Sequence, residues 1–599
     1  MTGLQRLFRE CRRRKIFRAA GIYIVAAWAA VQVASLVFPA INIPDTALRY
    51  VWLATLFLFP LAMVFAWFYD LSASGLVRTS PAQADDGFDP SLRRTDFLIL
   101  TVLSVVAIAI TWQFMTRIDV MPEIDRSEIN PNSIAVLPLD NISGDADQQY
   151  FVSGMQASII AGLSRIRALR VTSKTSTLRY RDSGESLPEI GRQLRVAKII
   201  EGSIYRFKDR VRLEVQLLDA GEDEHIWSAT FEDEIQNIMI LQSRVAQAVA
   251  SQVRVTLSPE EQEQFNDASS INPAAYEAFL KGVFYVERFT PEDMAVAAGY
   301  FQQAVALDPD YPLGYWGLSR LCGFQAQAGH ITPEQASEQC LPPMLKALDL
   351  DPFLPEAHMG NANRLTWQQH DWERADAAFE RALELNPSYA EAHMFYSHYL
   401  GIVGRIEESA AHMQLALQLD PLNPFVHGLH AVQLMMSDDY EGAVKVVEDV
   451  MASTPGFGFG HSVLWQGYFL LGDYDKAIRS AGDFFRRTRG DPTAAEALEA
   501  VYDGGNYSAA LIHAAEVLIE HSQTARVPPT DIGMLYEQAG EIEKAVDWFE
   551  ISYRERDPDA PYMGALSKIP ELNAHPRYQQ LLRDMKLDYW ADKFSESGL

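Results

Sequence analysis

Four polar residues that follow the first strand of a soluble domain could hold a small ligand. The apolar run SIAVLPL, residues 133–139, leads into Asp140, Asn141, Ser143 and Asp145. Sheets in α/β proteins bind ligands at the carboxyl ends of their strands, which makes this a candidate ligand or peptide loop. It lacks the Gly-Lys-Ser/Thr sequence of a phosphate loop, and its Asn and Ser are ordinary turn formers. The pattern favours a scaffold edge, with a ligand loop as the alternative.

A second candidate is a column of aromatic and histidine residues in the second half of the chain. The recurring position holds Tyr276, Tyr315, His358, His393, His427 and His461. The histidines lie 35, 34 and 34 residues apart, so a repeated structure would align them as a ladder. Imidazole titrates near pH 6.5, and such a ladder could respond to pH. The alternative is a tolerated packing residue; at about 10 Å apart, neighbouring positions could not share a metal ion.

The chain contains three cysteines, which excludes a disulfide-rich scaffold and a Cys-based zinc cluster. Cys322 and Cys340 flank a turn near residues 330–332, and antiparallel helices on either side would bring them to similar heights. An oxidising compartment would then allow a disulfide between them. The alternative is two buried thiols that act as small apolar residues.

No arrangement of residues indicates catalysis. The sequences His-Glu-x-x-His and Gly-x-Ser-x-Gly are absent, and the glycines of PGFGFG, at residues 455–460, follow a predicted helix instead of a strand. We therefore expect no catalytic residues, no metal and no cofactor, and predict that the protein is not an enzyme. An unrecognised enzyme is the alternative.

Length and charge limit the possible functions further. A chain of 599 residues is too long for one hydrophobic core, so several domains or a repeat array are expected. Its 79 acidic and 51 basic residues leave a formal net charge of −28. Such a surface repels phosphate backbones, and the charge therefore predicts no nucleic-acid partner.

The N-terminal part of the chain is predicted to lie in a membrane. Three apolar runs, at about 19–38, 51–69 and 97–115, are each long enough to cross a bilayer as a helix. The basic stretch RLFRECRRRKIFR within residues 1–18 predicts a cytoplasmic N-terminus that contacts membrane lipid. Residues 19–117 would form a three-helix region in a bacterial inner membrane, with the rest of the chain in the periplasm.

After a linker at 118–132, residues 133–256 change period repeatedly. The pattern predicts the order β-α-β-α-β-β-β-α, with a hairpin turn at Lys208–Asp209, and hence a small mixed α/β domain. The phrases SIAVLPLDNISGD, YFVSGMQASIIAGLSRI and EIGRQLRVAKIIEGSIYR resemble the TolB-like module of bacterial envelope proteins. That module often follows a membrane anchor and precedes tetratricopeptide repeats, and is found attached to class III adenylate cyclases and winged-helix regulators. The resemblance implies a fold and a setting but no catalytic activity.

A linker at 257–272 leads to an internal repeat. Prolines 352, 387, 421 and 455 end successive units and lie 35, 34 and 34 residues apart. This period and phrases such as YEQAGEIEKAVDWF are typical of tetratricopeptide repeats (TPR), in which helical hairpins stack into a solenoid. We predict about eight repeats over 273–558, followed by a capping helix and tail at 559–599. The family resemblance implies a protein or peptide partner on the concave face.

The predicted fold class is therefore multidomain: three transmembrane helices, a small mixed α/β domain and an all-α TPR solenoid. The predicted function is a non-enzymatic, membrane-anchored scaffold for protein–protein interactions. The alternative is a transmembrane sensor that passes an external ligand signal to a cytoplasmic partner. The sequence does not indicate the oligomeric state.

Overall fold

The computed structural model describes residues 129–596 except 146–147, 182, 267–271, 287–290 and 328–330. Before residue 129 it describes scattered helical residues between 20 and 66 and the two strands β1 (Tyr69–Ser72) and β2 (Gly75–Arg78). The chain divides into two units, Met1–Ile124 and Asp125–Leu599.

The three transmembrane helices are a wrong prediction. No helix among the described residues combines the length and the hydrophobicity that a bilayer crossing requires. Residues 97–115 lie outside the described residues, and Tyr69, at the end of the predicted second span, begins the antiparallel pair β1–β2. An apolar run is a span only as a continuous helix of about 20 residues, since every backbone polar group must be bonded within it. The assignment to a multi-pass inner-membrane protein with periplasmic domains is corrected by the same finding.

The second unit begins with a mixed sheet. Its main path runs β5-β3-β6-β7-β8, and β4 pairs with β6 beside this path. Strand β3 is parallel to β5 and β6, whereas β6, β7 and β8 form an antiparallel meander. The strands are β3 (Ser133–Val136), β4 (Asp140–Asn141), β5 (Arg170–Val171), β6 (Lys198–Phe207), β7 (Arg210–Asp219) and β8 (Glu224–Glu234).

Helices cover both faces of the sheet because β3 and the start of β6 are apolar on both sides, whereas β7 alternates between apolar and polar side chains. One face carries Ile134, Ile204 and Leu213 and is buried in the same apolar core as two of the helices, α1 (Gln149–Ser164) and α4 (Ile238–Gln252). The other face packs Ala135 and Ile199 against a smaller cluster. That cluster includes residues of α3 (Leu187–Leu194), which follows the single turn α2 (Lys174–Thr177).

A short helix, α5 (Pro259–Asn266), precedes eight helical hairpins in the described part of residues 273–554. The first helices of these hairpins are α6 (Pro273–Val286), α8 (Pro312–Gln327), α10 (Pro355–Arg364), α12 (Ala390–Ile402), α14 (Pro424–Met436), α16 (Gly460–Leu470), α18 (Thr493–Val501) and α20 (Pro529–Ala539). The second helices are α7 (Pro291–Leu307), α9 (Pro333–Leu350), α11 (Trp372–Leu385), α13 (Ile406–Leu419), α15 (Tyr440–Ser453), α17 (Tyr474–Asp483), α19 (Tyr507–His521) and α21 (Ile542–Arg554). Each hairpin is apolar on the sides that meet its neighbours, so the hairpins stack into one solenoid.

Local sequence sets where the helices of the solenoid begin. Proline occupies the first position of many first helices, where it has no hydrogen bond to lose and its φ suits a helix. Aspartate caps several second helices: the side chains of Asp371, Asp439 and Asp473 accept hydrogen bonds from the backbone N–H three residues later.

The first hairpin is joined to the sheet through one apolar core. Tyr276 on α6 is 1% exposed, and its hydroxyl accepts a hydrogen bond from Gln242 Nε2 at 3.0 Å. Gly154 on α1 leaves room for Leu280, since a Cβ at Gly154 would lie 2.5 Å from Leu280 Cδ2. The core that begins at Ile134 in the sheet continues without a break into the first two hairpins.

A second contact ties the sheet to the solenoid farther along the chain. The Ser388 hydroxyl donates to the Leu169 carbonyl at 3.1 Å and accepts from the Val171 N–H at 3.2 Å, so it covers the outer edge of β5. The Ser176 hydroxyl donates to Asp420 Oδ1 at 2.6 Å. Both solenoid residues lie in turns between hairpins, so two successive turns hold the β5 side of the sheet.

Four short helices follow the eighth hairpin and fold back onto the solenoid: α22 (Met563–Leu566), α23 (Pro570–Asn573), α24 (Pro576–Asp584) and α25 (Asp588–Glu596). Helix α22 packs against α12 and α14. Trp590 on α25 is fully buried, and its indole N–H donates to the Ile402 carbonyl at 2.7 Å. The C-terminal segment therefore belongs to the core of the solenoid.

The packing of the first two hairpins gives a testable prediction. Phe301 lies between Gly282 on α6 and Gly317 on α8, and a Cβ at either glycine would come within 2.5 Å of its ring. Gly282→Ala should lower the free energy of unfolding by about 1–3 kcal/mol, because the ring cannot move within a closed core. Urea unfolding followed by far-UV circular dichroism measures this change.

The matched control is Gly299→Ala on α7, where a new Cβ would meet no heavy atom within 4 Å. Alanine favours a helix over glycine by about 1 kcal/mol, so this variant should be slightly more stable than the wild type. Equal effects of the two substitutions would contradict the packing described for Phe301.

Candidate functional site

The predicted ligand loop is mostly bonded to itself. Asp140 pairs with Ser203 of β6 through the backbone. Asn141 Nδ2 donates to the Asp145 carbonyl at 2.8 Å, and Asn141 Oδ1 accepts from the Ser143 N–H at 3.1 Å and from the Ser143 hydroxyl at 2.5 Å. These bonds make a compact turn. Asp145 lies on the wall of a larger cleft.

This cleft, of about 710 Å³, lies between the sheet domain and the first hairpin. The start of α1, the β6–β7 turn and helices α6 and α7 form its walls. We call it the α6 cleft, and it is lined by Asp145, Gln148, Gln149, Tyr150, Arg206, Lys208, Glu277, Lys281, Phe284, Tyr285 and Tyr300. Clefts between domains are common binding sites because groups from separate elements converge there.

Glu277 is at the centre of the polar network in the α6 cleft. Its carboxylate accepts hydrogen bonds from the Tyr150 hydroxyl at 2.5 Å and from Arg206 Nη2 at 3.0 Å, and it pairs with Lys281 Nζ at 3.2 Å. Burial alone would raise the pKa of Glu277, but the Tyr150 hydrogen bond and Arg206 together lower it to about 2. Burial and the nearby carboxylate raise the pKa of Tyr150. At neutral pH, Glu277 is ionised and Tyr150 is protonated.

Aromatic rings and amino groups form the rest of the α6 cleft. The rings of Tyr285 and Tyr300 stack with centroids 5.7 Å apart. Lys281 Nζ lies 5.0 Å from the centroid of Tyr150 and 5.8 Å from that of Tyr300. A flat or apolar group could pack beside such rings while an acidic group meets the lysines.

The sequence analysis missed the residues of the α6 cleft on the first hairpin. One signal was available: in YEAFLKGVFYVE, Glu277, Lys281 and Tyr285 lie four residues apart and therefore share one face of α6. Tyr150 and Arg206 carried no such signal, since they meet Glu277 only after the sheet domain packs on the first hairpin.

The histidine ladder has a structural role at three of its four positions. In each case the imidazole Nε2 lies close to a proline carbonyl oxygen. The distance is 2.9 Å from His358 to Pro352, 3.0 Å from His393 to Pro387 and 2.7 Å from His427 to Pro421. Each imidazole thus bonds the proline carbonyl six residues earlier in its own turn. Such carbonyls lie past a helix end and lack a partner within the helix, and the histidines supply one.

His393 also contacts a histidine outside the ladder. Its Nδ1 lies 2.9 Å from Nδ1 of His412 on α13, so one nitrogen must be protonated and the other not. Burial lowers the pKa of His393 to about 4, with a further contribution from His412. At the fourth ladder position, His461 Nδ1 lies 4.0 Å from Asp483 Oδ2, and burial lowers the pKa of His461.

The remaining predicted residues lie in the first two hairpins. Tyr276 on α6 is buried against α1 and α4, the helices of the sheet domain. Cys322 on α8 and Cys340 on α9 form a disulfide. Tyr315 and Cys322 line a second cavity of about 580 Å³ between the first two hairpins. Its wall also contains Pro342 and Pro343, two prolines inside α9.

The inner surface of hairpins three to five is occupied by the chain itself. Here the inner surface means the side of residues 365–369, α12 and α14 that meets the C-terminal segment. The Tyr562 hydroxyl lies 3.0 Å from His398 Nδ1, and His398 Nε2 lies 2.9 Å from the Leu429 carbonyl. Lys568 Nζ pairs with Asp438 at 2.6 Å beyond the end of α14. A partner cannot use this part of the solenoid while the segment is in place.

Among the described residues, no group of three or more His, Cys, Asp and Glu side chains is arranged to hold a metal ion.

Two family models match separate parts of the chain. Residues 130–248 match the second domain of HilA/YgeH-like transcriptional regulators, and residues 364–424 match a tetratricopeptide repeat. The first range covers the sheet and its helices, and the second covers the hairpins from the end of α10 to the start of α14. The chain thus contains tetratricopeptide repeats and a region similar to the second domain of HilA/YgeH-like regulators.

Relatives with similar sequences include proteins of different names. Putative adenylate cyclase 3 of Rhizobium meliloti is 30% identical over 239 residues, which cover 40% of each chain. Transcriptional regulator HilA of Salmonella typhimurium is 24% identical over 158 residues, 26% of this chain and 28% of that protein. Human tetratricopeptide repeat protein 6 is 25% identical over 140 residues, 22% of this chain and 27% of that protein. The chain spans less than half the length of each relative.

Solved structures that match parts of the chain include PilW, a type IV pilus biogenesis factor. It is 14% identical with a TM-score of 0.30, and the match covers 36% of this chain and 95% of PilW. PilF of Pseudomonas aeruginosa is 17% identical with a TM-score of 0.29, and covers 38% of this chain and 98% of PilF. A monomeric mutant of IFIT1 is 13% identical with a TM-score of 0.35, and covers 61% of this chain and 90% of IFIT1.

The buried His398 gives a prediction about pH. Burial lowers its pKa to about 4, whereas a histidine in the unfolded chain titrates near 6.5. The unfolded state therefore binds the extra proton first, and the stability contributed by neutral His398 is lost as the pH falls from 6.5 towards 4. Between pH 7.5 and 5.5 the loss should be about 1.4 kcal/mol.

His398→Gln does not titrate, and its amide can still donate to the Leu429 carbonyl. The variant should be less stable than the wild type at pH 7.5 but lose about 1.4 kcal/mol less on going to pH 5.5. Other titrating groups are the same in both proteins, so the comparison removes their contribution to the pH dependence. One of them is Glu537, whose pKa burial raises to about 7 and whose effect on stability is opposite in sign to that of His398. Urea unfolding at both pH values measures the difference, and an identical pH dependence of the two proteins would count against the assignment.

Proposed function

We propose that this protein is a non-enzymatic interaction scaffold that recognises a partner protein in the α6 cleft. The observation that carries the proposal is the convergence of the sheet domain and the first hairpin on Glu277. TPR solenoids in general bind proteins or peptides, and this cleft is formed by the TPR array together with the sheet domain. A partner there would contact both parts of the second unit at once.

The position of the C-terminal segment supports the α6 cleft over the concave face named by the family resemblance. Tyr562 and Trp590 fill the inner surface at hairpins three to five, and Trp590 is fully buried. Exposing a buried tryptophan costs several kcal/mol, so a peptide would have to displace part of the core. The α6 cleft is open without such a cost.

The chemistry of the α6 cleft favours a segment with a carboxylate next to an aromatic or large apolar side chain. Lys208 lies at the β6–β7 turn, and Lys281 lies over two tyrosine rings on the opposite wall. The α6 cleft contains three basic residues, Arg206, Lys208 and Lys281, and two acidic ones, Asp145 and Glu277, so its formal charge is positive in a chain of net charge −28. The stacked pair Tyr285 and Tyr300 offers the apolar surface.

The protonation states in the α6 cleft support binding over catalysis. General acid–base catalysis needs a group whose pKa lies near the working pH. The pKa of Glu277 is lowered to about 2 and that of Tyr150 is raised, so neither exchanges protons readily near neutrality. The cyclase name belongs to a relative of which the match covers 40%. The TolB-like resemblance of residues 133–256 fits the same proposal, since it implies no catalytic activity.

A peptide array tests the proposal. Labelled protein is applied to twelve-residue peptides that combine acidic, basic, aromatic and aliphatic residues at varied spacing. We expect a preference for peptides with a Glu or Asp next to Phe, Tyr or Leu. Lys281→Met removes the charge but keeps a long apolar side chain, and should weaken binding of the best peptide about tenfold, the cost of one charged contact.

Lys445→Met is the matched control, because Lys445 is an exposed lysine on α15, well outside the α6 cleft. It should bind like the wild type. A preference for basic peptides, or equal binding by both lysine variants, would refute a partner site in the α6 cleft.

A further inference from the structure

The two edges of the sheet differ in how they are covered. The β5 edge is closed by the solenoid, where Ser388 bonds the Val171 N–H and the Leu169 carbonyl. The β8 edge ends the strand order on the other side, and no described strand pairs with it there. Strand β8 is 11 residues long, and most of its residues are exposed. An edge of that length is a ready template for another strand.

The hydrogen bonds of the hairpin show which amides of β8 point outward. The Ile235 N–H donates to the Asp209 carbonyl at 2.7 Å, so residue 235 bonds towards β7. The direction of backbone groups alternates along a strand, and Phe231 and Ala229 therefore also bond towards β7. The N–H and C=O groups of Ser228 and Thr230 point to the open edge, and both residues are exposed.

Strand β8 lacks several of the usual protections of an edge. It contains no proline and no glycine, and its one irregularity lies near its start, opposite Leu217 and Leu218. Between that irregularity and Glu232 the pairing with β7 is regular. The five-residue stretch from Ser228 to Glu232 thus offers an unbroken ladder.

Charge selects the kind of strand that fits. Acidic residues stand at both ends of β8, at 222–224 and at 232–234, and they outnumber the two arginines that pair with them, Arg210 with Glu232 and Arg244 with Asp233. The outward-facing row that includes Thr230 and Glu232 would oppose alternate residues of an added strand, and the other face carries Trp227 and Ala229 beside α4. An added strand would fit with basic side chains next to Thr230 and Glu232 and apolar side chains next to Trp227 and Ala229.

We propose that the β8 edge binds an extended, basic segment of a partner protein by adding it to the sheet as a further antiparallel or parallel strand. The segment alternates lysine or arginine with β-branched or other apolar residues over about five to seven positions. This site is separate from the α6 cleft, which favours acidic segments. A second copy of this chain is a poor occupant, because antiparallel pairing centred on Ala229 would place Glu224 opposite Glu234.

Synthetic peptides test the proposal directly. The probe is a fluorescent seven-residue peptide of alternating lysine and valine, and its binding to the full chain is followed by anisotropy. A glutamate–valine peptide tests the charge, and a lysine–proline peptide of equal positive charge lacks the N–H groups that a strand needs. We expect binding of the lysine–valine peptide to exceed that of both others by about tenfold or more.

A pair of variants separates backbone pairing from general attraction to an acidic protein. Thr230→Pro removes one outward N–H and no bond to β7, whereas Thr230→Val keeps that N–H and the preference for a strand. Thr230→Pro should weaken the lysine–valine peptide about tenfold, and Thr230→Val should leave its affinity within about twofold. Lys281→Met should not change it. If thermal melting shows that Thr230→Pro is unfolded, Ser228→Pro removes the neighbouring outward N–H instead.

Three results would overturn the proposal. The first is equal binding of the peptide by the proline and valine variants, and the second is equal binding of the lysine–proline peptide by the wild type, since either would reflect charge alone. The third is a dimer of the free chain in sedimentation velocity that Thr230→Pro dissociates, which would assign the β8 edge to a second copy.

Discussion

A stack of helical hairpins leaves an apolar face uncovered at each end, and the arrangement of the second unit follows from covering those faces. At the N-terminal end, α1 and α4 of the sheet domain pack on α6, with Tyr276 buried between them. At the C-terminal end, the short helices α23 and α24 pack on α21, with Tyr578 fully buried. Without these caps, water would contact the apolar faces of the first and last hairpins. The sheet domain is therefore also the cap of the solenoid.

Both candidate binding surfaces arise from this capping. The α6 cleft exists because α6 must dock on the sheet domain, which brings Tyr150 and Arg206 to Glu277. The β8 edge stays open because the sheet is held from its other side, where turns at Ser388 and Asp420 bond the region around β5. One docking geometry thus creates the α6 cleft and leaves the β8 edge uncovered.

The repeated histidines show how a repeat solves the same local problem several times. Each turn between hairpins leaves a proline carbonyl without a helical partner, and His358, His393 and His427 each bond that carbonyl. The periodicity of the histidines thus reflects the periodicity of the turns. His393 and His412 add a contact that requires at least one neutral ring, so local packing at this hairpin depends on pH.

The sequence by itself determined the elements that depend on short-range pattern. A period of 34 residues with proline-containing turns specifies helical hairpins. Alternation over residues 210–219, directly after the turn at Lys208–Asp209, indicates the β6–β7 hairpin, because neighbouring side chains alone decide which face is apolar. The same reliance on local hydrophobicity led to the wrong assignment of three membrane spans. Only the tertiary structure decided that the C-terminal segment fills the inner surface, where Tyr562 meets His398, and that Glu277 meets Tyr150. Those pairs lie more than 100 residues apart in the chain, and no local pattern encodes which distant apolar faces will cover one another.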